Sequence, residues 1–340
     1  CVACSPDRRT ALSGSSDGTL IQWDLATGQP LRRLRGHDLA VFSVAYHPDS
    51  QTALSGSCDC SLILWDLANG EVLRRYEGHQ EEVRSVALSP DGRVALSGSS
   101  DHSVICWDVA SGTILHRLAV QDRSTDSSAP STGHMARVRG VAFGPAGGTA
   151  LSVSEDRSVI LWDLQRGESK RRFELLGVGG LYGLDLSANG RRALLNTRDG
   201  PAILLDLQSG RITELGFGRR GRIEAVLLHP DGRHALAGAS NGDLRLSDLS
   251  SGAEVRSIAY DRRQVGATSV DLSADGRWGL AGFRDGWVVL WDVESGAVVG
   301  RLVGHTTAVW GGVRFGRNGR PAVSGGGGVW GTQRDDAYRL

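Results

Sequence analysis

The dipeptide Trp-Asp recurs along the chain at nearly even intervals, and no other feature constrains the fold so tightly. It stands at Trp23-Asp24, Trp65-Asp66, Trp107-Asp108, Trp162-Asp163 and Trp291-Asp292, and in worn form at Leu205-Asp206 and Ser247-Asp248. A polar turn keeps step with it: Ser-Pro-Asp at 5–7, His-Pro-Asp at 47–49, Ser-Pro-Asp-Gly at 89–92 and Gly-Pro-Ala-Gly-Gly at 144–148. The later copies are Ser-Ala-Asn-Gly at 187–190, His-Pro-Asp-Gly at 229–232, Ser-Ala-Asp-Gly at 273–276 and Gly-Arg-Asn-Gly at 316–319. The second positions of these turns lie 42, 42, 55, 43, 42, 44 and 43 residues apart. A period in the low forties, closed by Trp-Asp, marks four-stranded antiparallel blades stacked around one axis.

The second copy shows how one period becomes a blade. Residues 41–46 alternate Val41, Ser43 and Ala45 against Phe42, Val44 and Tyr46, which predicts an inner strand. Pro48-Asp49-Ser50 turns the chain. Residues 52–57 form a second strand of small residues, which lets neighbouring blades approach near the axis. Residues 62–66 make the third strand, and Ala68-Asn69-Gly70 a hairpin turn whose Gly accepts positive φ. Residues 71–76 make a half-polar outer strand beside water. The hairpin glycine recurs at Gly28, Gly112, Gly167, Gly210, Gly252 and Gly296. One insertion breaks the period, the Ser/Thr-rich stretch 121–132, and it is expected to be a mobile loop.

On these residues the chain resembles the WD40 repeat family over essentially its whole length, which implies an all-β, single-domain β-propeller over 1–340. The blades are expected near 1–37, 38–79, 80–133, 134–177, 178–218, 219–261, 262–305 and 306–340. An eighth copy has an inner strand at 309–315 and a second strand at 321–324, then dissolves into Gly325–Gly328. A seven-blade ring would leave Val309, Val313 and Phe315 without partners. The expectation is therefore eight blades, the last one frayed; the alternative is seven blades plus extra strands.

The resemblance implies a buried His-Ser-Asp-Trp tetrad in each intact blade. In blade 2 it would be His37, Ser57, Asp59 and Trp65; in blade 3 His79, Ser99, Asp101 and Trp107; in blade 4 His134, Ser154, Asp156 and Trp162. A buried indole needs an acceptor and a buried carboxylate needs donors, so the set reads as structural. Ser, His and Asp together resemble a hydrolase triad, but recurrence blade after blade argues against it. Blade 1 keeps Ser15, Asp17 and Trp23, blade 7 keeps Asp285 and Trp291, and blades 5 and 6 have lost the Trp. Two nucleophile-elbow matches, at 14–18 and 238–242, and a dinucleotide fingerprint at 216–221 all lack the following helix that their chemistry needs. Cys58-Asp59-Cys60 is half a metal site with no second pair nearby, so no metal and no cofactor is expected.

The family's binding positions flank the first apolar residue of each inner strand and precede the tetrad Asp. Here the resemblance points to Phe42, Glu82, Arg84, Arg137, Arg139, Glu155, Tyr182, Arg198, Arg222, Arg284 and Trp310 as a partner-binding face. Arg and aromatic side chains dominate binding hot spots. The implied function is a non-catalytic protein- or peptide-binding scaffold, with acidic or phosphorylated segments as candidate partners. The alternatives are an enzyme or small-ligand site in the channel, and a purely structural, partly decayed array.

Composition narrows the rest. Thirty-eight basic residues balance 38 acidic ones, which argues against a dedicated nucleic-acid or membrane binder. No apolar run approaches membrane-spanning length. Lys170 is the single lysine, so arginine dominates, as a GC-rich bacterial genome would produce. Five cysteines without framework spacing suggest free thiols in a reducing, cytoplasmic setting. The chain opens on Cys1 without a Met, and the expectation is a monomeric interaction module cut from a longer bacterial signalling or regulatory protein.

Overall fold

A computed structural model describes residues 1–118, 133–215, 221–259, 265–303, 309, 312–315 and 321–325, of which 259, 302, 303 and 321–325 are described by their backbone alone. Among these residues the strands form seven four-stranded antiparallel sheets and one two-stranded sheet. The seven blades span 2–34, 41–77, 83–118, 138–174, 181–214, 223–259 and 267–303. In blade 2 the strands are Val41–Tyr46, Thr52–Ser57, Ser61–Asp66 and Val72–Glu77, within a residue or so of the sequence pattern. The insertion 121–132 lies outside the described residues.

Burial in each blade follows from its alternation. The second strand of blade 2 is buried from Ala53 to Ser57, and its third strand from Ser61 to Trp65. The outer strand exposes Val72 to Arg75 and buries only Tyr76. The core lies between sheets: Leu12, Leu20 and Leu34 of blade 1 pack against Val41, Val44, Ile63 and Trp65 of blade 2. Small residues make that approach feasible. A Cβ at Gly56 would come within 2.6 Å of Val83 Cγ1, and one at Gly98 within 2.6 Å of Val138 Cγ1. No side chain fits where two blades meet that closely.

The inner strands of consecutive blades touch around the ring, and the two-stranded sheet, Gly312–Phe315 with Pro321–Gly325, stands between blades 7 and 1. Val309, Val313 and Phe315 are buried there, as the sequence demanded. Val309 donates its N–H to Phe283 O at 3.0 Å, and Phe315 donates to Asp271 Oδ2 at 2.7 Å. Eight four-stranded blades are not what the described residues form. They form the alternative, seven blades plus extra strands, since the described residues of the eighth copy hold its inner two strands.

Blades 5 and 6 are complete despite losing the Trp. In blade 5 Leu205 takes the position of Trp65 in blade 2 and Leu195 that of Ser55, and both are fully buried. Replacing both hydrogen-bonding partners by apolar groups costs little. In blade 6 the same two positions carry Ser247 and Ala237, and a buried Arg245 fills that side. Arg245 Nη2 reaches Asp243 Oδ2 at 2.6 Å, and Asn241 Nδ2 donates to the same oxygen at 2.7 Å.

Candidate functional site

The polar set inside each intact blade has its hydroxyl fully engaged. In blade 2, Trp65 Nε1 donates to Ser55 Oγ at 2.8 Å, and His37 Nε2 lies 2.7 Å from the same oxygen. His37 Nδ1 then meets Asp59 Oδ2 at 2.8 Å. Blade 3 repeats this through Ser97, His79 and Asp101; in blade 4 Ser152 and His134 do the same, but His134 Nδ1 meets Ser158 Oγ at 2.8 Å and lies 3.5 Å from Asp156. The serine between imidazole and indole is therefore not Ser57, Ser99 or Ser154, as expected, but the residue two positions earlier. Ser57, Ser99 and Ser154 instead donate to the carbonyls of Leu39, Glu81 and Ala136 and accept the N–H of Asp59, Asp101 and Asp156. In blade 1 the acceptor for Trp23 is likewise Ser13, not Ser15.

Burial lowers His37 and His134 below the ordinary imidazole value, against the pull of their carboxylates. Burial alone would raise Asp59, but hydrogen bonds from Ser61 and His37 outweigh it and hold the carboxyl at about 2. A neutral imidazole and an ionised carboxylate, both spent on internal partners, form a clamp rather than a nucleophile. An outer-strand arginine, unforeseen from the sequence, completes it. Arg75 Nη1 donates to Ser61 Oγ at 2.9 Å and its Nη2 donates to Gly36 O; Arg172 Nη1 donates to Gly133 O at 2.6 Å. The repeated Arg-Arg-aromatic of 74–76 and 171–173 was the available signal.

The second candidate is the rim where inner strands begin. One backbone bond recurs in six blades. The N–H groups of Cys58, Ser100, Glu155, Arg198, Ser240 and Arg284 donate to the carbonyls of Ala40, Glu82, Arg137, Gly180, Arg222 and Gly266 at 2.7–3.0 Å. Equivalent positions are thereby brought to one mouth of the ring. Contacts between blades knit them together. The Arg84 guanidinium lies 4.3 Å over the Phe42 ring, donates from Nε to Ser100 Oγ at 3.1 Å and pairs with Glu82 at 3.1 Å. Arg139 lies 4.7 Å over Tyr182 and is paired with Glu155. Arg222 and Arg284 both reach Glu224 Oε1, at 2.8 and 2.7 Å. A hydrogen bond from Ser100, then Arg84 and Arg137, lowers the Glu82 carboxyl below its usual value.

The arginines are therefore not a bare basic arc, since Arg84 and Arg139 each carry their own carboxylate. Arg137 is exposed, and Arg198, mostly exposed, approaches Asp199 at 3.9 Å. Trp310 lies outside the described residues. Glu82 stands two residues before Arg84 at the start of an inner strand, and Glu155, just past a second strand, meets Arg139 of the neighbouring inner strand; both are the ion pairs that would neutralise these arginines.

The repeat pattern finds its match in one family. The WD domain, G-beta repeat matches residues 1–24, 28–66, 70–108, 128–163 and 254–292, more than half of the chain. The chain belongs to the WD40 repeat family. The matched segments of this WD40 chain leave out 164–253, the stretch in which Leu205 and Ser247 stand where Trp is lost. No curated protein matches the chain. WD40 propellers are generally protein-interaction scaffolds and typically non-catalytic. No helix of the described chain is long and apolar enough to cross a membrane.

Proposed function

We propose that this propeller is a non-catalytic module that takes an acidic or phosphorylated peptide segment on the rim of Phe42, Glu82, Arg84, Arg137, Arg139 and Tyr182. The observation that carries the reading is the stacked Arg84–Phe42 and Arg139–Tyr182 pairs, held at one mouth by adjacent blades. Stacking and ion pairing hold two guanidiniums in place before a partner arrives, which lowers the ordering cost of binding. Around Glu82 two guanidiniums, Arg84 and Arg137, act on one carboxylate, and the surplus favours an anionic guest. Arginine suits such a guest because it can hold a carboxylate or phosphate through two parallel hydrogen bonds. The tetrad hydroxyls are occupied, which supports a scaffold over a hydrolase. Five free cysteines suit a reducing compartment and support a cytoplasmic setting.

The test is fluorescence polarisation with matched acidic, phosphorylated and basic peptides. Acidic or phosphorylated peptides should bind, and Arg137→Glu should weaken them about tenfold or more, the loss of one charge-assisted contact. Exposed side chains contribute little to folding, so the melting temperature should hold. Preferential capture of basic peptides, or affinities indifferent to Arg137→Glu, would overturn the reading.

A further inference from the structure

Two blades carry a His-Pro-Asp turn between inner and second strands, and their side chains are held alike. In blade 6, His229 Nε2 lies 3.0 Å from the carbonyl of Gly276 in blade 7; in blade 2, His47 Nε2 lies 3.1 Å from Gly92 O in blade 3. A carbonyl only accepts, so both rings carry their proton on Nε2, and the Nδ1 lone pair accepts the N–H of the turn aspartate, at 3.2 Å from Asp231 and 3.3 Å from Asp49. Both Nδ1 atoms face the Asp of the turn, at 3.1 Å for Asp231 and 2.8 Å for Asp49. The glycine beneath each ring has no alternative: a Cβ at Gly276 would lie 2.4 Å from His229 Cε1. The imidazole is thus fixed in orientation and tautomer, as in a metal-ligating histidine whose second nitrogen donates to a carbonyl.

The turns differ at the residue that opens the second strand. Blade 2 has Thr52, whose hydroxyl rests on Asp49 at 3.3 Å. Blade 6 has His234, whose Nδ1 lies 2.6 Å from Asp231 Oδ2, with its ring 6.0 Å from that of His229. The ligand atoms of His229, Asp231 and His234 all lie within 4.8 Å of one another, the one such group among the described residues. Asp231 also accepts the N–H of Arg233 and His234, at 2.7 and 3.0 Å, so it is anchored from its own turn.

We propose that His229, Asp231 and His234 form a binding site for a divalent zinc-class cation. Two imidazoles and one carboxylate suit zinc, with bonds of about 2.0–2.2 Å, and leave a coordination position for water or a partner's side chain. The cation takes the place of the proton shared between His234 Nδ1 and Asp231, and it displaces the Asp231 N–H from His229 Nδ1. That proton leaves to solvent or to Nε2 of the same ring. Blade 6 lacks the Trp and Ser of the tetrad, and a cation here would tie its turn to blade 7 through His229 and Gly276.

The test is isothermal titration of the whole chain with zinc chloride, alongside His234→Thr and Thr52→His. His234→Thr copies the blade 2 turn, which folds with that residue. It should bind one zinc ion fewer than the parent chain, and its melting temperature should no longer rise with added zinc. Thr52→His should bind one more, since blade 2 already holds the other two ligands. Equal uptake by the parent and His234→Thr would overturn the site. No gain in Thr52→His would overturn the claim that this turn geometry makes it. Any zinc taken up by the cysteine thiols is common to all three proteins and cancels in the comparison.

Discussion

A serine hydroxyl can accept from an indole and serve an imidazole at once, and Ser55, Ser97 and Ser152 each do both. The seventh blade shows what the serine is worth by lacking it. Ala281 sits at that position, and the buried Trp291 Nε1 finds no acceptor among the described residues. A buried donor left unsatisfied costs about 1–3 kcal/mol, and a made hydrogen bond contributes about 1. Ala281→Ser should therefore raise stability by about 1 kcal/mol or more, read as a higher urea midpoint at unchanged slope. A lower midpoint would mean that the hydroxyl cannot reach the indole. The sequence misplaces this serine for a plain reason. Ser55 and Ser57 lie two apart on one strand, so alternation puts both on one face, and only the reach of Trp65 chooses between them. His234 escaped notice for a related reason. His-x-Asp-x-x-His becomes a cluster only once the turn is seen to fold the strand opening back over the Asp.

An inner strand pairs on one edge only, and the chain covers the other edge with side chains from the preceding blade. Ser43 accepts from Val86 N at 3.1 Å, Ser85 from Val141 N at 3.2 Å, Asp185 from Leu228 N at 2.6 Å and Asp271 from Phe315 N at 2.7 Å. Burial raises the carboxyls of Asp185 and Asp271, and their backbone hydrogen bonds only partly offset it. A carboxyl raised by burial favours the protonated form in the fold. Its cost is fully present above the raised value and vanishes as the pH falls below the unfolded value of about 3.9. Asp185→Asn keeps an acceptor for Leu228 and removes the charge, so it should match or exceed the parent in stability at pH 7. That advantage should disappear below about pH 4. Asp185→Leu strands the N–H and should cost about 1–3 kcal/mol. Thermal melts across pH decide it, and an Asn variant weaker than the parent at pH 7 would refute the argument. Strand positions and turns were legible in the sequence because period and alternation write them directly. These edge contacts were not, because each joins residues 43 to 56 positions apart.

Around the molecule, contacts of this kind reach from one blade to the next in chain order. His47 reaches Gly92, Tyr76 Oη donates to Val109 O at 2.8 Å, and Arg256 Nη1 donates to Ser295 O at 2.7 Å. The ring is closed by the thin two-stranded sheet, whose buried Val313 and Phe315 join blade 7 to blade 1. Blade number hung on that seam. The sequence showed that Val309, Val313 and Phe315 need partners but could not show how many strands the last copy would supply. The seam has a mechanical consequence. A chain pulled by its two ends in an optical trap loads this joint first, because each other joint lies between blades that are continuous in the chain. The ring should open there at low force and then ravel blade by blade. Most repeats hold 42 to 44 residues, so successive lengthening events should release roughly 140–160 Å of extended chain each. A longer event belongs to the 55-residue repeat. One single rupture of the whole length would mean that the seam is as strong as the blades it joins.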